Sequence, residues 1–137
     1  MYNNYTEDYL AHHGILGMKW GVRHNEFKKK VYANKALRNS KPYANRRDIS
    51  QYRANRLKKM SVSDYANEFR LPNTSKNDIK NNALQKAADV KLLSKDAHKY
   101  DLLSKKWISV NKKITDTPAS QIKNRSQYKA IVDSVWK

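Results

Sequence analysis

The position of the helix breakers constrains the fold of this chain more than any other feature. The breakers are Gly14, Gly17, Gly21, Pro42, Pro72 and Pro118. Glycine and proline are the residues least favourable to helix interiors. The 116 residues after Gly21 contain no glycine and only three prolines, so they can form long helices. We therefore predict an all-α fold, in which a short non-helical, glycine-containing N-terminal segment (residues 1–24) precedes a helical body (residues 25–137).

The most regular stretch contains no glycine or proline between residues 75 and 117. Ser75 is followed three residues later by Asp78, a pattern typical of a capped helix start. Apolar side chains then recur in ten steps over 35 residues, a mean spacing of 3.5, which is the coiled-coil period. These positions are Ile79, Ala83, Ala87, Val90, Leu93, Ala97, Tyr100, Leu103, Trp107, Val110 and Ile114. The pattern predicts one long helix over about residues 76–114.

Such a helix would be about 57 Å long at 1.5 Å per residue. A compact globule of this chain length is about 37 Å across. Either the helix breaks near Lys112 or earlier, or the protein is elongated and packs against another chain. We expect the elongated form.

Shorter helices are expected on either side of this segment. Asn25 suits an N-cap, and the stretch after it ends at a predicted break around Ser40–Pro42. Ser61 or Ser63 suits the cap of a short helix that stops before Pro72. Thr117 followed by Pro118 predicts the start of a closing helix. The apolar stripes expected on these helices are Phe27, Val31 and Leu37; Ile49, Tyr52, Leu57 and Met60; Tyr65 and Phe69; and Ile122, Tyr128, Ile131, Val135 and Trp136.

The net charge points to a polyanionic partner. The chain carries 29 Lys+Arg against 12 Asp+Glu, a formal charge of +17, whereas a small soluble domain usually carries a charge of about 2–8 in magnitude. The first 23 residues hold two charges of each sign, so the excess lies on the helical body. A nucleic acid is such a polyanion. The chain has no recognised base-reading motif, so its contact with nucleic acid should be independent of base sequence. The candidate phosphate contacts are Lys28, Lys29, Lys30, Arg46, Arg47, Arg53, Arg56, Lys58, Lys59, Lys105, Lys106, Lys112 and Lys113.

Composition and spacing argue against several other classes. The chain has no cysteine, which excludes disulfides and thiolate metal sites. No window approaches the roughly 18 apolar residues of a membrane span, and the acidic start is unlike a signal peptide. His12, His13 and His24 lack a metal-binding pattern, and no nucleophile or paired carboxylate accompanies them. We expect no enzyme activity, no cofactor, no metal and no membrane contact.

The N-terminal segment favours docking on another protein. Its glycines permit close backbone approach, and its apolar residues with a central Trp20 are typical of a peptide that fits a partner's groove. A turn packed on the chain's own helices is the alternative. Trp136, next to the last residue, is a second candidate anchor. The predicted docking residues are His12, His13, Gly14, Ile15, Gly17, Lys19, Trp20, Gly21, Arg23 and Trp136.

The run LAHHGILGMKWGVR resembles a His-His-Gly-Ile-x-Gly-x-Lys-Trp-Gly-x-Arg signature of virion-associated proteins from tailed bacteriophages of Gram-positive bacteria. The match covers about a tenth of the chain. It implies a structural protein of the virion: an inner-core or internal head protein, made in the host cytoplasm and placed inside the capsid. We expect several copies in the assembly, docked on the major capsid protein or portal and contacting packaged double-stranded DNA.

Two other phage functions remain open. A scaffolding or head morphogenesis protein would also be helical, although strong acidic stretches would be more typical of one. A small DNA-binding regulatory protein would need a helix-turn-helix, and the predicted helices at about 44–60 and 63–70 have no glycine at the turn between them.

Overall fold

The computed structural model describes the backbone from Trp20 to Lys137 and the side chains from His24 onward. Its elements are α1 (Trp20–Lys59), α2 (Val62–Glu68), α3 (Lys76–Asp116), a 3-10 turn (Ala119–Gln121) and α4 (Arg125–Trp136). No strand occurs in this part of the chain. The predicted all-α fold with one long helix is confirmed.

The first helix departs from the prediction at two points. It begins at Trp20, so the residues just before the expected Asn25 cap are already helical. It also continues through Pro42, where a break was predicted. Proline removes one backbone hydrogen bond and costs about 3 kcal/mol in a helix interior. Residues buried on both sides of it, Ala36 and Ala54, hold the helix by packing, which offsets that cost.

The starts of α2 and α3 confirm the capping predictions. Ser61 Oγ accepts a hydrogen bond of 3.0 Å from the Asp64 backbone N–H at the start of α2. At the start of α3, Ser75 Oγ accepts from the Asp78 N–H at 3.0 Å, and Asp78 Oδ2 accepts from the Ser75 N–H at 3.3 Å. From there α3 runs unbroken to Asp116, so the alternative of a break near Lys112 is not observed.

The closing helix starts later than predicted. The Thr117 hydroxyl donates to the Lys113 carbonyl at 2.6 Å and caps no helix. After the 3-10 turn, the side chain of Asn124 accepts a 3.0 Å hydrogen bond from the Gln127 N–H and serves as the N-cap of α4. The predicted cap at Thr117 is therefore wrong, because the residues after Pro118 form a 3-10 turn and the next α-helix begins only at Arg125.

The chain divides into two compact units, and α1 and α3 contribute to both. The terminal unit comprises the residues up to Arg38 together with Lys106–Lys137, and the central unit is Asn39–Lys105. The first boundary falls at Arg38. Pro42 has no N–H to donate to the Arg38 carbonyl, so α1 lacks one backbone hydrogen bond at this point. The second falls inside α3, between Lys105 and Lys106.

In the terminal unit, α1, α3 and α4 pack around a cluster of buried apolar side chains. This cluster consists of Ala36, Val110, Ile114, Ile122 and Tyr128. Tyr32, Trp107 and Trp136 are among the partly buried side chains packed against it. The helices α1, α3 and α4 therefore pack against one another through large aromatic or branched side chains.

The central unit buries smaller side chains. Ala54 and Leu57 of α1, Tyr65 and Ala66 of α2, and Ala97 of α3 are its buried apolar residues. It also buries polar groups, of which Asn82 donates from Nδ2 to the Pro72 carbonyl at 2.8 Å. Among these core residues only Tyr65 and Leu57 are large.

The predicted apolar stripes are buried only in part. On α3, Ala97, Val110 and Ile114 are buried as expected, whereas Ile79 near its start is exposed. On α1, Leu57 is buried, but the other stripe residues are exposed or only half-buried. The exposed ones are Phe27, Val31, Leu37, Ile49 and Tyr52. Their place in the interior is taken by Ala36, Ser40 and Ala54, because small residues allow closer helix approach.

Candidate functional site

Most of the predicted docking segment lies outside the described residues. This applies to His12, His13, Gly14, Ile15, Gly17 and Lys19. The backbone of Trp20, Gly21 and Arg23 forms the first turn of α1. The docking role of this segment stays a prediction.

Trp136, the second predicted docking anchor, packs within the terminal unit. Its ring meets that of Trp107 edge-on, with centroids 5.5 Å apart, and the Lys106 ammonium lies 5.0 Å from its ring centre. Its indole N–H is buried and has no hydrogen-bond partner among the described residues. The ring is half-buried, and the structure gives it an intramolecular role. A contact of Trp136 with another protein stays a prediction.

Two of the predicted phosphate contacts bind a carboxylate of the central unit instead. Asp101 on α3 accepts from Arg47 Nη1 of α1 at 2.9 Å and from Lys105 Nζ at 2.9 Å. Hydrogen bonds from Lys105 and Arg47 lower the pKa of Asp101 below its ordinary value. The bond with Asp101, together with one to Asp48, raises the pKa of Arg47. The Arg47 bond joins α1 to α3 and the Lys105 bond lies within α3, so part of the charge of both cations is neutralised within the fold.

Arg56 is engaged in the same way. Both of its terminal nitrogens donate to the two carboxylate oxygens of Glu68, one of them at 3.2 Å. This bidentate pair connects α1 to α2 and raises the pKa of Arg56. Arg46 makes a different contact, since its guanidinium lies 5.7 Å from the ring centre of Tyr100.

Lysines of the terminal unit make contacts with uncharged groups. Lys28 Nζ donates to the Lys123 carbonyl at 3.1 Å, and Lys113 Nζ donates to Ser134 Oγ at 2.6 Å. Lys106 lies over Trp136, and Lys35 lies 5.5 Å from the ring centre of Tyr128. These ammonium groups gain hydrogen bonds or cation–π contacts and keep their full positive charge.

The remaining candidate cations are distributed over both units. Lys30 and Lys112 are exposed in the terminal unit, where Lys29 is half-buried. In the central unit Arg53, Lys58 and Lys59 are exposed. The structure thus separates the predicted phosphate contacts into paired cations (Arg47, Arg56 and Lys105) and cations that keep their charge.

Both units carry an excess of positive charge. The described parts of the terminal unit, residues 24–38 and 106–137, hold 12 Lys+Arg and 3 Asp+Glu, a net charge of +9. The central unit holds 15 Lys+Arg and 7 Asp+Glu, a net charge of +8. Every ion pair that joins two described residues lies in the central unit. The terminal unit therefore has the higher charge on fewer residues and no such pair to reduce it.

Sequence reasoning missed a row of lysines on α3. Lys91, Lys95 and Lys99 are all exposed and follow one another at intervals of four residues. The signal was present in the sequence, because the predicted helix over residues 76–114 already placed i, i+4 and i+8 on one face.

A shallow groove of about 560 Å³ lies within the central unit. Phe69, Leu92 and Leu93 form part of its apolar lining. The carboxylates of Glu68 and Asp89 also line the groove. Arg56 binds Glu68, and the Tyr65 hydroxyl donates to Asp89 Oδ2 at 2.5 Å. Both carboxylates are thus occupied by contacts that hold the helices together.

The residues from His24 onward contain no group of three or more His, Cys, Asp or Glu side chains placed to hold a metal ion. No helix in the same range combines the length and apolar character needed to cross a bilayer.

Comparison with known proteins identifies a relationship for the N-terminal segment. Residues 3–26 match the model of a family of unknown function, DUF7211. The match covers 24 of the 137 residues and includes the whole HHGILGMKWGVR run. Neither the curated proteins nor the solved structures contain a match to this chain.

Proposed function

We propose that this chain is an internal structural protein of a bacteriophage head. In this proposal the helical body contacts packaged double-stranded DNA without base specificity, and the N-terminal segment docks on the capsid shell or the portal. Several copies act inside the capsid after synthesis in the host cytoplasm. The observation that carries the proposal is the large positive charge that the fold leaves unneutralised.

Few basic residues of the body are paired with carboxylates inside the fold. Residues 24–137 hold 27 Lys+Arg and 10 Asp+Glu. Among the described residues, ion pairs engage only Arg47, Arg56 and Lys105 of those cations. Packaged duplex DNA presents one negative charge per about 1.7 Å of its axis, which makes it a suitable counter-charge for such a body.

The N-terminal segment is recognisable without most of the helical body. The family match covers residues 3–26 and ends about two turns into α1, which begins at Trp20. Residues 1–23 have no net charge and a high apolar content, in contrast to the body. This composition supports a protein partner for the segment and a polyanion for the rest.

Mass spectrometry of purified, DNA-filled particles tests the location. We expect the chain to be present in several copies in these particles and to remain after external proteins are removed by protease. A chain found in empty precursor particles and missing from filled ones would instead be a scaffolding protein. Absence from both would contradict a structural role.

The affinity for duplex DNA at several salt concentrations tests the contact with nucleic acid. If about six phosphates are neutralised, log K should fall against log salt with a slope of about −5. Duplexes of unrelated sequence should give the same slope, since phosphate contacts do not read bases. A flat salt response would contradict the electrostatic contact.

The docking role can be tested with two tryptophan variants. Trp20→Ala should prevent incorporation into particles and leave the stability of the isolated protein unchanged. Trp136→Ala serves as the comparison, because that ring packs on Trp107 and its loss should lower stability. Loss of helicity or stability in Trp20→Ala would favour a turn packed on the chain's own helices.

A further inference from the structure

The solvent face of α3 in the central unit carries a row of three lysines. Lys91, Lys95 and Lys99 are exposed and four residues apart, so each step advances about 6 Å along the helix and turns it by about 40°. Their stems therefore lie on one face over about 12 Å. We name these three residues the lysine ridge.

The opposite face of the same helix segment is the packed one. Ala97 and Ser104 are buried, and Leu93 and Tyr100 are half-buried. The apolar side of α3 is thus used inside the central unit, and the lysine ridge points away from it.

Nearby carboxylates leave the lysine ridge largely unneutralised. Asp101, on the next turn, is held by Arg47 and Lys105. Asp96 is three residues before Lys99 and therefore close to it on the helix surface, but it forms no ion pair with a described residue. The lysine ridge therefore differs from Arg47, Arg56 and Lys105, whose charges are tied to partners within the fold.

We propose that the lysine ridge is the surface with which the central unit binds the phosphates of duplex nucleic acid. This inference rests on the proposed function and replaces Arg47, Arg56 and Lys105 as the contacts of this unit, because all three are paired with carboxylates. Arg47 joins α1 to α3, Arg56 joins α1 to α2, and Lys105 is paired within α3. A lysine ammonium acts as a point charge without base-reading geometry. A 12 Å length of duplex presents about seven phosphates, which is enough to engage all three lysines.

The structure favours a nucleic acid over an anionic membrane surface as the partner. A helix that binds at a membrane interface inserts an apolar face into the lipid while its charged side faces water and headgroups. In this part of α3 Leu93 and Ala97 are turned into the unit's own packing. The face that remains carries Ser94 and His98 beside the lysines, and Leu92, which is 60% exposed, is the only large apolar side chain exposed between residues 91 and 99. One exposed leucine is not the continuous apolar face that a membrane surface requires.

The test uses the full chain with two matched triple variants. The first is Lys91→Gln, Lys95→Gln and Lys99→Gln; the second is Lys41→Gln, Arg70→Gln and Lys76→Gln, at three exposed positions of the same unit that form no row. Each removes three charges and keeps similar helix propensity. Circular dichroism checks that both variants retain wild-type helicity, and duplex DNA affinity is then measured from about 50 to 200 mM salt.

We expect the ridge variant to lose about 2.7 from the magnitude of the log–log salt slope, the equivalent of three phosphates. The factor by which affinity falls between about 50 and 200 mM salt should then be about 40-fold smaller in the ridge variant than in the wild type. The comparison variant should change the slope by less than about 1.

Each other outcome overturns the inference in a recognisable way. Equal changes in the two variants would show that the charge acts diffusely, and the proposed function would stand without the ridge. An unchanged slope in the ridge variant would also overturn the ridge alone. Reduced binding to vesicles containing an anionic phospholipid, with DNA affinity unaltered, would assign the ridge to membranes. A flat wild-type salt response would overturn the proposed function and the ridge together.

Discussion

The two units of this chain are stabilised by different kinds of contact. In the terminal unit Tyr32 stacks on Tyr128 with centroids 4.9 Å apart, and Trp107 meets Trp136 at 5.5 Å. The central unit relies more on small buried residues, and its helices are joined by ion pairs such as Arg56 with Glu68. Large rings contribute burial energy without using charge. The terminal unit can therefore keep its lysines unpaired, whereas the central unit uses several cations in ion pairs that hold its helices together.

The largest loss of stability from a single substitution should come from the core of the terminal unit. Ile114 is fully buried, so Ile114→Ala should lower the free energy of unfolding by about 3 kcal/mol. Urea unfolding followed by tryptophan fluorescence measures this, because Trp107 and Trp136 both belong to this unit. Ile108→Ala on the same helix is the matched control. Ile108 is 47% exposed and should cost about 0.5 kcal/mol or less. Similar costs at both positions would contradict the described core.

The buried tyrosine hydroxyls of the two units should contribute differently to stability. Tyr65→Phe removes a hydrogen bond to the Asp89 carboxylate and should cost about 1.5 kcal/mol. Tyr128→Phe removes a buried hydroxyl that has no partner among the described residues, so its effect should be neutral or stabilising. Urea unfolding monitored by circular dichroism gives both values. A costly Tyr128→Phe would reveal a hydrogen bond that the structure does not contain.

Alkaline pH should reduce the stability cost of Tyr65→Phe. Burial, with the Asp89 contact, raises the pKa of Tyr65 to about 12, above its ordinary value of 10.0. The unfolded chain therefore releases this proton first, and the stability that Tyr65 contributes is complete below about pH 10 and lost as the pH rises towards 12. The stability difference between wild type and Tyr65→Phe should shrink over that window. A difference that stays constant would contradict the raised pKa.

Salt should produce the smallest effect, and this effect should differ between the two units. Raising the ionic strength from about 0.1 to 1 M shortens the Debye length from about 10 to 3 Å. Screening relieves repulsion among the unpaired lysines of both units, but in the central unit it also weakens the pairs of Asp101 and Glu68. Amide hydrogen exchange resolves the units, and protection should rise in the terminal unit and rise less in the central one. Asp101→Asn removes pairs with Arg47 and Lys105 and should bring the central response closer to the terminal one, whereas equal shifts in both units of the wild-type protein would contradict the comparison.

The long helix shows how much of the fold was predictable. Ser75 and Asp78 predicted its start because a capping box is a local interaction between residues three apart. Pro42 shows the opposite case. Its local preference predicts a break, yet α1 continues through it, since buried residues from distant parts of the chain surround both halves of the helix.

The candidate site shows the same division. In the sequence, Arg47 and Lys95 are equally plausible phosphate contacts, because both are basic residues on predicted helices. Arg47 is engaged by Asp101, which is 54 residues away, and no local pattern predicts that pairing. The row formed by Lys91, Lys95 and Lys99 could have been recognised, because their spacing alone places them on one face.

The sequence by itself determined the helical class, the long α3 helix with its capped start, and the net charge of +17. These properties depend on composition and on interactions between residues a few positions apart. The tertiary structure alone decided which cations are neutralised, which of the apolar stripes are buried, and that Trp136 packs on Trp107. Those outcomes depend on contacts between distant segments, whose free energy exists only once the helices have packed.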